Sequence, residues 1–194
     1  MPTESFLQGK LVELSAIQRS DLPVIASWGR DTEFLGNQFY GLLYPDNLED
    51  LTLEFEQQHG TLWHGIESLK ELPFAIRPQD GGEIIGIVQF KHFDWRSLLA
   101  EVGISVGNRE YWDKGYGTDA MRVMLRYGFM ELGLNRIELT VFGFNPRAVR
   151  SYEKAGFQRE GSLRESLYRD GQFHDQLVLG ILRTEWDALP DDQR

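Results

Sequence analysis

The run Tyr111-Trp112-Asp113-Lys114-Gly115-Tyr116-Gly117-Thr118 carries two glycines at a spacing that lets consecutive backbone N–H groups converge. It stands between a strand pattern and a helical one, so those donors would gather at the positive end of a helix dipole and form an anion cradle. Gly103 lies inside the preceding strand, in Ala100-Glu101-Val102-Gly103-Ile104-Ser105-Val106-Gly107, where a glycine marks a bulge or a close approach by another backbone-like group. The strand Arg136 to Phe142 returns after the intervening helix and should lie parallel beside it. A bulge at Gly103 then splays the two strands and exposes unpaired N–H and C=O groups. An amide-bearing ligand fills such a gap as a pseudo-strand, with its phosphates in the cradle. Pantetheine joined to a pyrophosphate has that constitution.

These residues need a scaffold, and its elements are readable. Leu11 to Leu14 is a short strand, and Ser20-Asp21-Leu22-Pro23 opens a helix carrying Val24, Ile25 and Trp28. Gly36 to Pro45 holds Phe39, Tyr40, Leu42, Leu43 and Tyr44, too aromatic for a plain linker and suited to covering a pocket; Asn47 then begins a second helix through Phe55. Leu72 to Arg77, Ile84 to Phe93 and Leu98 to Val106 form an antiparallel meander. Thr118 to Leu132 has Met121, Leu125, Gly128 or Phe129, and Leu132 at helical spacing, with Gly133 to stop it. Arg136 to Phe142 alternates Ile137, Leu139 and Val141 against Arg136, Glu138 and Thr140, as a half-buried strand does. Asn145 caps a helix with Pro146 at its first position, Gly156 ends that helix, and Phe157 starts a strand. Asp170-Gly171 is a hairpin turn between Leu163 to Arg169 and Phe173 to Leu182. The expected fold class is α/β (α+β): a mixed, mostly antiparallel central sheet of about seven strands, splayed between two parallel central strands and flanked by about four helices.

Composition narrows the chemistry. A chain of 194 residues with 41% apolar and 12% aromatic residues buries one substantial core, which predicts a single domain over 1–194 with an ordered core over about 9–186. With no Cys, neither a thiolate metal site nor a cysteinyl intermediate is available. His59, His64, His92 and His174 lack the spacing of a metal site, so no metal is expected. Thirty acidic against twenty basic residues give a formal charge of −10, which repels nucleic acid and suits a cationic partner such as an amine, or serves solubility alone. No apolar stretch approaches the ~20 residues of a membrane span and no secretory pattern opens the chain, so a cytoplasmic protein is expected.

Trp112-Asp113-Lys114-Gly115-Tyr116-Gly117-Thr118-Asp119-Ala120, followed by Asn145-Pro146-Arg147-Ala148-Val149-Arg150-Ser151-Tyr152-Glu153-Lys154-Ala155-Gly156-Phe157, resembles the GCN5-related N-acetyltransferase (GNAT) family. The resemblance spans about residues 9 to 186. Arg164-Glu165 through Asp170-Gly171 to Asp175, and the ending Leu182-Arg183-Thr184-Glu185-Trp186, resemble the branch of the ribosomal-protein N-terminal acetyltransferases (RimJ/RimL-like). The resemblance implies acetyl-CoA as donor, a primary amine as acceptor (a protein N-terminus or a small molecule), and direct attack in a ternary complex. It implies that backbone groups of Val102 to Val106, with Ile104, Ser105 and Val106 among the cofactor contacts, run along the pantetheine, and that one N–H stabilises the oxyanion. Trp112, Asp113, Lys114, Gly115, Tyr116, Gly117 and Thr118 would hold the pyrophosphate. The family usually has Gln or Arg at the position of Trp112, a departure that touches a side-chain contact more than a backbone grip.

Tyr152 matches the family tyrosine that can protonate the leaving thiolate, since a tyrosine with its ordinary pKa of ~10 keeps its proton near neutrality; the lesser alternative is a packing residue beside Ala148 and Val149. Glu101 matches the general base of some relatives, or is a plain strand glutamate. Asn145 is a helix cap whose side chain can also reach the cofactor, and Arg150 and Lys154, one turn apart, can meet phosphates or water. Trp28, Phe39, Tyr40 and Tyr44, near acidic Asp31 and Glu33, are candidate acceptor-wall residues. A homodimer is compatible with the family. Two other readings compete: a non-catalytic CoA-binding sensor or interaction module, and a serine hydrolase through Gly103-Ile104-Ser105-Val106-Gly107, with Ser105 as nucleophile and His174 downstream. The second requires Ser105 on a sharp strand-to-helix turn.

Overall fold

The computed structural model describes residues 6–38, 47–58 and 70–194. Phe39, Tyr40 and Tyr44, expected at the acceptor wall, lie outside the described residues. Seven strands form one sheet in the order β1-β2-β3-β4-β5-β7-β6: β1 Val12–Ser15, β2 Glu71–Pro78, β3 Gly86–Asp94, β4 Leu99–Val106, β5 Arg136–Phe142, β6 Gln158–Arg169 and β7 Gln172–Leu182. All pairs are antiparallel except β4 with β5. Six helices accompany them among the described residues: α1 Leu22–Trp28, α2 Thr32–Gln38, α3 Leu48–Gln58, α4 Tyr116–Met130, α5 Pro146–Ala155 and α6 Arg183–Asp187. None is long and apolar enough to cross a membrane.

The alternation of β2 divides the core. Leu72, Phe74 and Ile76 pack with Met121, Met124 and Leu125 of α4 and Val149 and Tyr152 of α5, while Ala75 faces Trp28, Phe34 and Leu35 of α1 and α2. Helix α2 has no apolar periodicity to announce it. Its start is set by Asp31, whose Oδ1 accepts from the Glu33 and Phe34 N–H groups at 3.0 and 3.1 Å, and it is held by packing of Phe34 and Leu35 beside Trp28.

Two chain reversals confer geometry on the centre. Gly115 caps α4 at φ +91° and Gly156 ends α5 at φ +109°, left-handed conformations that glycine adopts without a Cβ penalty. Asn145 Oδ1 accepts from the Ala148 N–H at 3.1 Å ahead of Pro146, as the cap expectation requires.

The splay is present, but not through a bulge at Gly103. The β3/β4 register runs without a shift from Gly86 opposite Val106 to Lys91 opposite Glu101, with Gly103 squarely opposite Gln89. The shift falls between Lys91 and Asp94, where His92 takes φ +51°. The β4/β5 ladder itself simply stops. It holds Leu99, Ala100 and Glu101 opposite Arg136, Ile137 and Glu138, and no further pair forms.

Candidate active site

Beyond Glu101 and Glu138 the two central strands separate, and a cleft of about 700 Å³ opens along the β4 edge. Gly107 donates to the Ile85 carbonyl at 2.9 Å, on the β3 side. The two-residue alternation of the ladder therefore turns the N–H and C=O groups of Val102, Ile104 and Val106 to the other side, toward the gap. Strand β4 is paired with β3 from Glu101 to Val106, and β5 with β7 from Arg136 to Phe142, so the gap lies between two strands each held on its outer side. An amide-bearing chain laid in it finds a row of donors and acceptors already oriented.

At one end of the gap stands the start of α4. Its first intrahelical bond runs from the Asp119 N–H to the Gly115 carbonyl at 2.9 Å, and no side chain caps the helix. The N–H groups of Tyr116, Gly117 and Thr118 therefore lack helical acceptors, and Gly115, Gly117 and Thr118 line the cleft. This is the donor arrangement an anion needs. Lys114 is exposed and Tyr116 stands edge-on against Tyr111 at 4.8 Å; neither lines the cleft.

The other wall is α5. Arg147, Arg150, Ser151 and Lys154 line the cleft from one stripe of this helix, with Asn145 and Tyr152 beside them. Thr118 Oγ1 and Ser151 Oγ are 2.8 Å apart and tie α5 to the start of α4. Tyr152 is 8% exposed, sits edge-on to Phe157 at 6.0 Å, and so both packs in the core and borders the cleft. Trp112 lines the cleft too, and its indole N–H donates to the Val106 carbonyl at 2.7 Å. The departure from Gln or Arg thus produces an anchor for the end of β4.

Across the cleft, Ile25, Leu51, Glu54, Gln89, Lys91 and Glu101 form the remaining side. Glu101 accepts from Lys91 Nζ at 3.0 Å and sits 2.8 Å from His92 Nδ1 with its other oxygen. Trp28, expected at this wall, does not line the cleft: it is 7% exposed in the smaller core cluster, beneath Gly107. Ser105 lies within β4, which leads into a short turn at Arg109–Tyr111 before α4, so the strand-to-helix turn of a serine hydrolase is not formed there. His174 packs edge-on against Phe144 and does not line the cleft; His59 and His64 lie outside the described residues.

A sequence model of the acetyltransferase (GNAT) domain matches residues 12–158. The chain belongs to the GNAT family. As a GNAT protein it is an acetyl-CoA-dependent N-acetyltransferase. It is 32% identical over 173 residues to the spermidine N(1)-acetyltransferase of Vibrio cholerae, covering 89% of this chain and 94% of that protein. It is also 32% identical over 107 residues to the putative ribosomal N-acetyltransferase YdaF of Bacillus subtilis, covering 55% of this chain and 58% of YdaF. Its fold superposes on a crystal structure of the Vibrio cholerae spermidine N-acetyltransferase in complex with CoA and spermine with a TM-score of 0.77, at 25% identity over 90% of this chain and 97% of that one. The GNAT fold accounts for the parted central strands, and the free β4 edge and uncapped α4 start are chemically suited to a CoA chain and its pyrophosphate.

Ser151 and Arg147 are among the cleft residues that sequence reasoning passed over. Ser151 gives no signal beyond its helix position. Arg147 becomes notable only through Trp112, over whose ring its guanidinium stacks at 3.5 Å from the centroid. Partial burial pulls the Arg147 pKa below the ordinary arginine value, against the opposing pull of Asp113 and Glu33.

Proposed function

We propose that this enzyme transfers the acetyl group of acetyl-CoA directly to the primary amine of a small, cationic molecule, with both substrates bound at once. The observation that carries the reading is the fork. The ladder ends at Glu101, so a carboxylate and a free backbone edge meet at the throat of one cleft. Acetyl-CoA supplies an activated thioester. The chain supplies the rest: Val102, Ile104 and the Val106 N–H present backbone partners, with an N–H placed to stabilise oxyanion charge, and the Gly117 and Thr118 N–H groups hold the diphosphate. In this proposal Tyr152 delivers a proton to the departing sulfur, and Glu101 draws the proton from the incoming ammonium, with His92, 72% exposed at its side chain, as the contact to solvent. Domain 1–194 acts as one unit in this reading.

The small-amine acceptor draws support from the spermidine acetyltransferase relatives and from Glu54 and Glu101 on the acceptor side. A protein N-terminal amine is the second reading, favoured by the likeness to YdaF. The test is release of CoA thiol from acetyl-CoA over a panel of polyamines, amino sugars, amino acids and N-terminal peptides, followed by two-substrate kinetics. Turnover with polyamines and intersecting double-reciprocal lines are expected. Turnover only with peptides would move the acceptor to the second reading. Parallel lines would exclude direct transfer, and tight CoA binding with no turnover would make the chain a sensor.

A further inference from the structure

Trp112 and Arg147 form a unit that the backbone grip on the diphosphate does not explain. The Trp112 indole is fixed on one edge by its bond to the Val106 carbonyl, and the Arg147 guanidinium lies over its face at 3.5 Å. Both line the cleft next to Asp113, Gly115 and Gly117. A second arginine, Arg109, approaches the same ring at 5.5 Å, but it is committed: Arg109 Nη1 meets Glu33 at 2.6 Å, and its other nitrogens bond Asp31. That pairing raises the Arg109 pKa and holds Asp31 below the usual carboxylate range. Arg147, by contrast, makes no hydrogen bond or ion pair among the described residues.

Asp113 and Glu33 act on Arg147 only through space, and a half-buried guanidinium with no hydrogen-bonded carboxylate is left for an anion to complete. Stacking on an aromatic face leaves the N–H edges of a guanidinium free to make bidentate contacts in its plane. We propose that Arg147, held in place by Trp112, is the side-chain seat for a phosphate group of CoA. The proposal rests on the CoA-binding reading of this cleft and assigns a residue that the backbone cradle leaves unused. Two sources of phosphate exist on that ligand, the diphosphate and the ribose 3′-phosphate. The chemistry is shared, and truncated ligands separate them. Trp112 is the positioning residue in this scheme: it contributes through Arg147 rather than by touching charge itself.

The experiment is calorimetric titration of the wild type, Arg147→Ala, Arg147→Gln, Trp112→Ala and the double variant with CoA and with 3′-dephospho-CoA, alongside thermal melts that report folding. Loss of a charge-assisted contact predicts CoA binding weaker by about 10- to 100-fold for Arg147→Ala. Trp112→Ala should weaken binding less, and the double variant should lose clearly less than the sum of the two single losses, since without Arg147 only the hold on the Val106 carbonyl remains for Trp112. A loss seen with CoA but not with dephospho-CoA assigns the 3′-phosphate; an equal loss with both assigns the diphosphate. Wild-type affinity in folded Arg147→Ala, or in Arg147→Gln where the alanine variant does not fold, would overturn the proposal. Full additivity of the two substitutions would overturn the positioning role of Trp112. Absence of CoA binding by the wild type would instead sink the cofactor reading on which the proposal rests.

Discussion

Asp119, the acidic residue just inside the glycine turn, is 7% exposed and does not line the cleft, yet it fixes the turn from behind. Its carboxylate accepts from the backbone N–H groups of Lys10 at 3.1 Å, Leu11 at 2.7 Å and Val12 at 3.1 Å, pinning the start of β1 to the first turn of α4. Replacing Asp119 with Ala strands three donors. Val12 is wholly buried, so its orphaned N–H should cost about 1–3 kcal/mol. Water can reach Lys10 and Leu11, which reduces their loss to roughly 0.5–1 kcal/mol each. A carboxylate in the first helical turn adds about 0.3–1 kcal/mol. The total is about 2–6 kcal/mol, or a fall in melting temperature of roughly 4–24 °C for a chain of this size. Asp119→Asn should lose nearly as much, because its NH2 must enter a ring of donors. Urea unfolding at constant m-value measures the loss, and CoA titration of the folded variant in the cold should give wild-type affinity. A loss under about 1 kcal/mol would refute the reasoning, since the bonds would then merely offset the desolvation of the carboxylate. Weakened CoA binding in the folded variant would show that Asp119 shapes the cradle itself.

Tyr152→Phe should lower kcat by ~10²-fold or more while acetyl-CoA affinity stays unchanged; a near-wild-type rate would remove Tyr152 as the proton donor. Glu101→Gln should cut the rate most at low pH, where the acceptor amine is protonated, and a loss uniform across pH would mark Glu101 as structural. Glu160 lies beside the Arg136 guanidinium, which holds its carboxyl below the usual range and ties β6 back to β5. Because the folded value is depressed, this contribution is present above the unfolded carboxylate value of ~4 and is lost as pH falls through the folded one. Thermal melts of wild type and Glu160→Gln should therefore differ near neutrality and converge in acid; a gap that persists at ~pH 2 would contradict the assignment.

What was legible in the sequence was whatever local rules dictate. The turn at Gly115, the Asn145-Pro146 cap and the Gly156 stop each rest on a backbone requirement of a few consecutive residues, and each is where the pattern puts it. The alternation from Arg136 to Phe142 delimits β5 without error. Illegible features depend on distant partners. Helix α2 exists because Phe34 and Leu35 dock beside Trp28, and the same docking takes Trp28 out of the cleft. Gly103 suggests a bulge by its type, but its strand is held in register by β3. Arg147 is one basic residue among several on α5 until Trp112, remote in sequence, is seen beneath it.

The place where the central strands part has its own electrostatic logic. Glu101 and Glu138 are opposite residues at the last step of the parallel ladder, and like charges so placed disfavour continued pairing. Each is drawn to a different cation: Glu101 to Lys91 on β3, Glu138 to Arg136 at 2.8 Å on its own strand. Neither strand needs the other beyond that step, because β3 and β7 already pair their outer sides. The gap is therefore an edge that folding leaves open at little structural cost, and its floor is a carboxylate. In the proposed reaction the cofactor's reactive end and the acceptor amine meet at Glu101, because the free β4 edge begins there and its carboxylate, paired with Lys91, lines the cleft at that step.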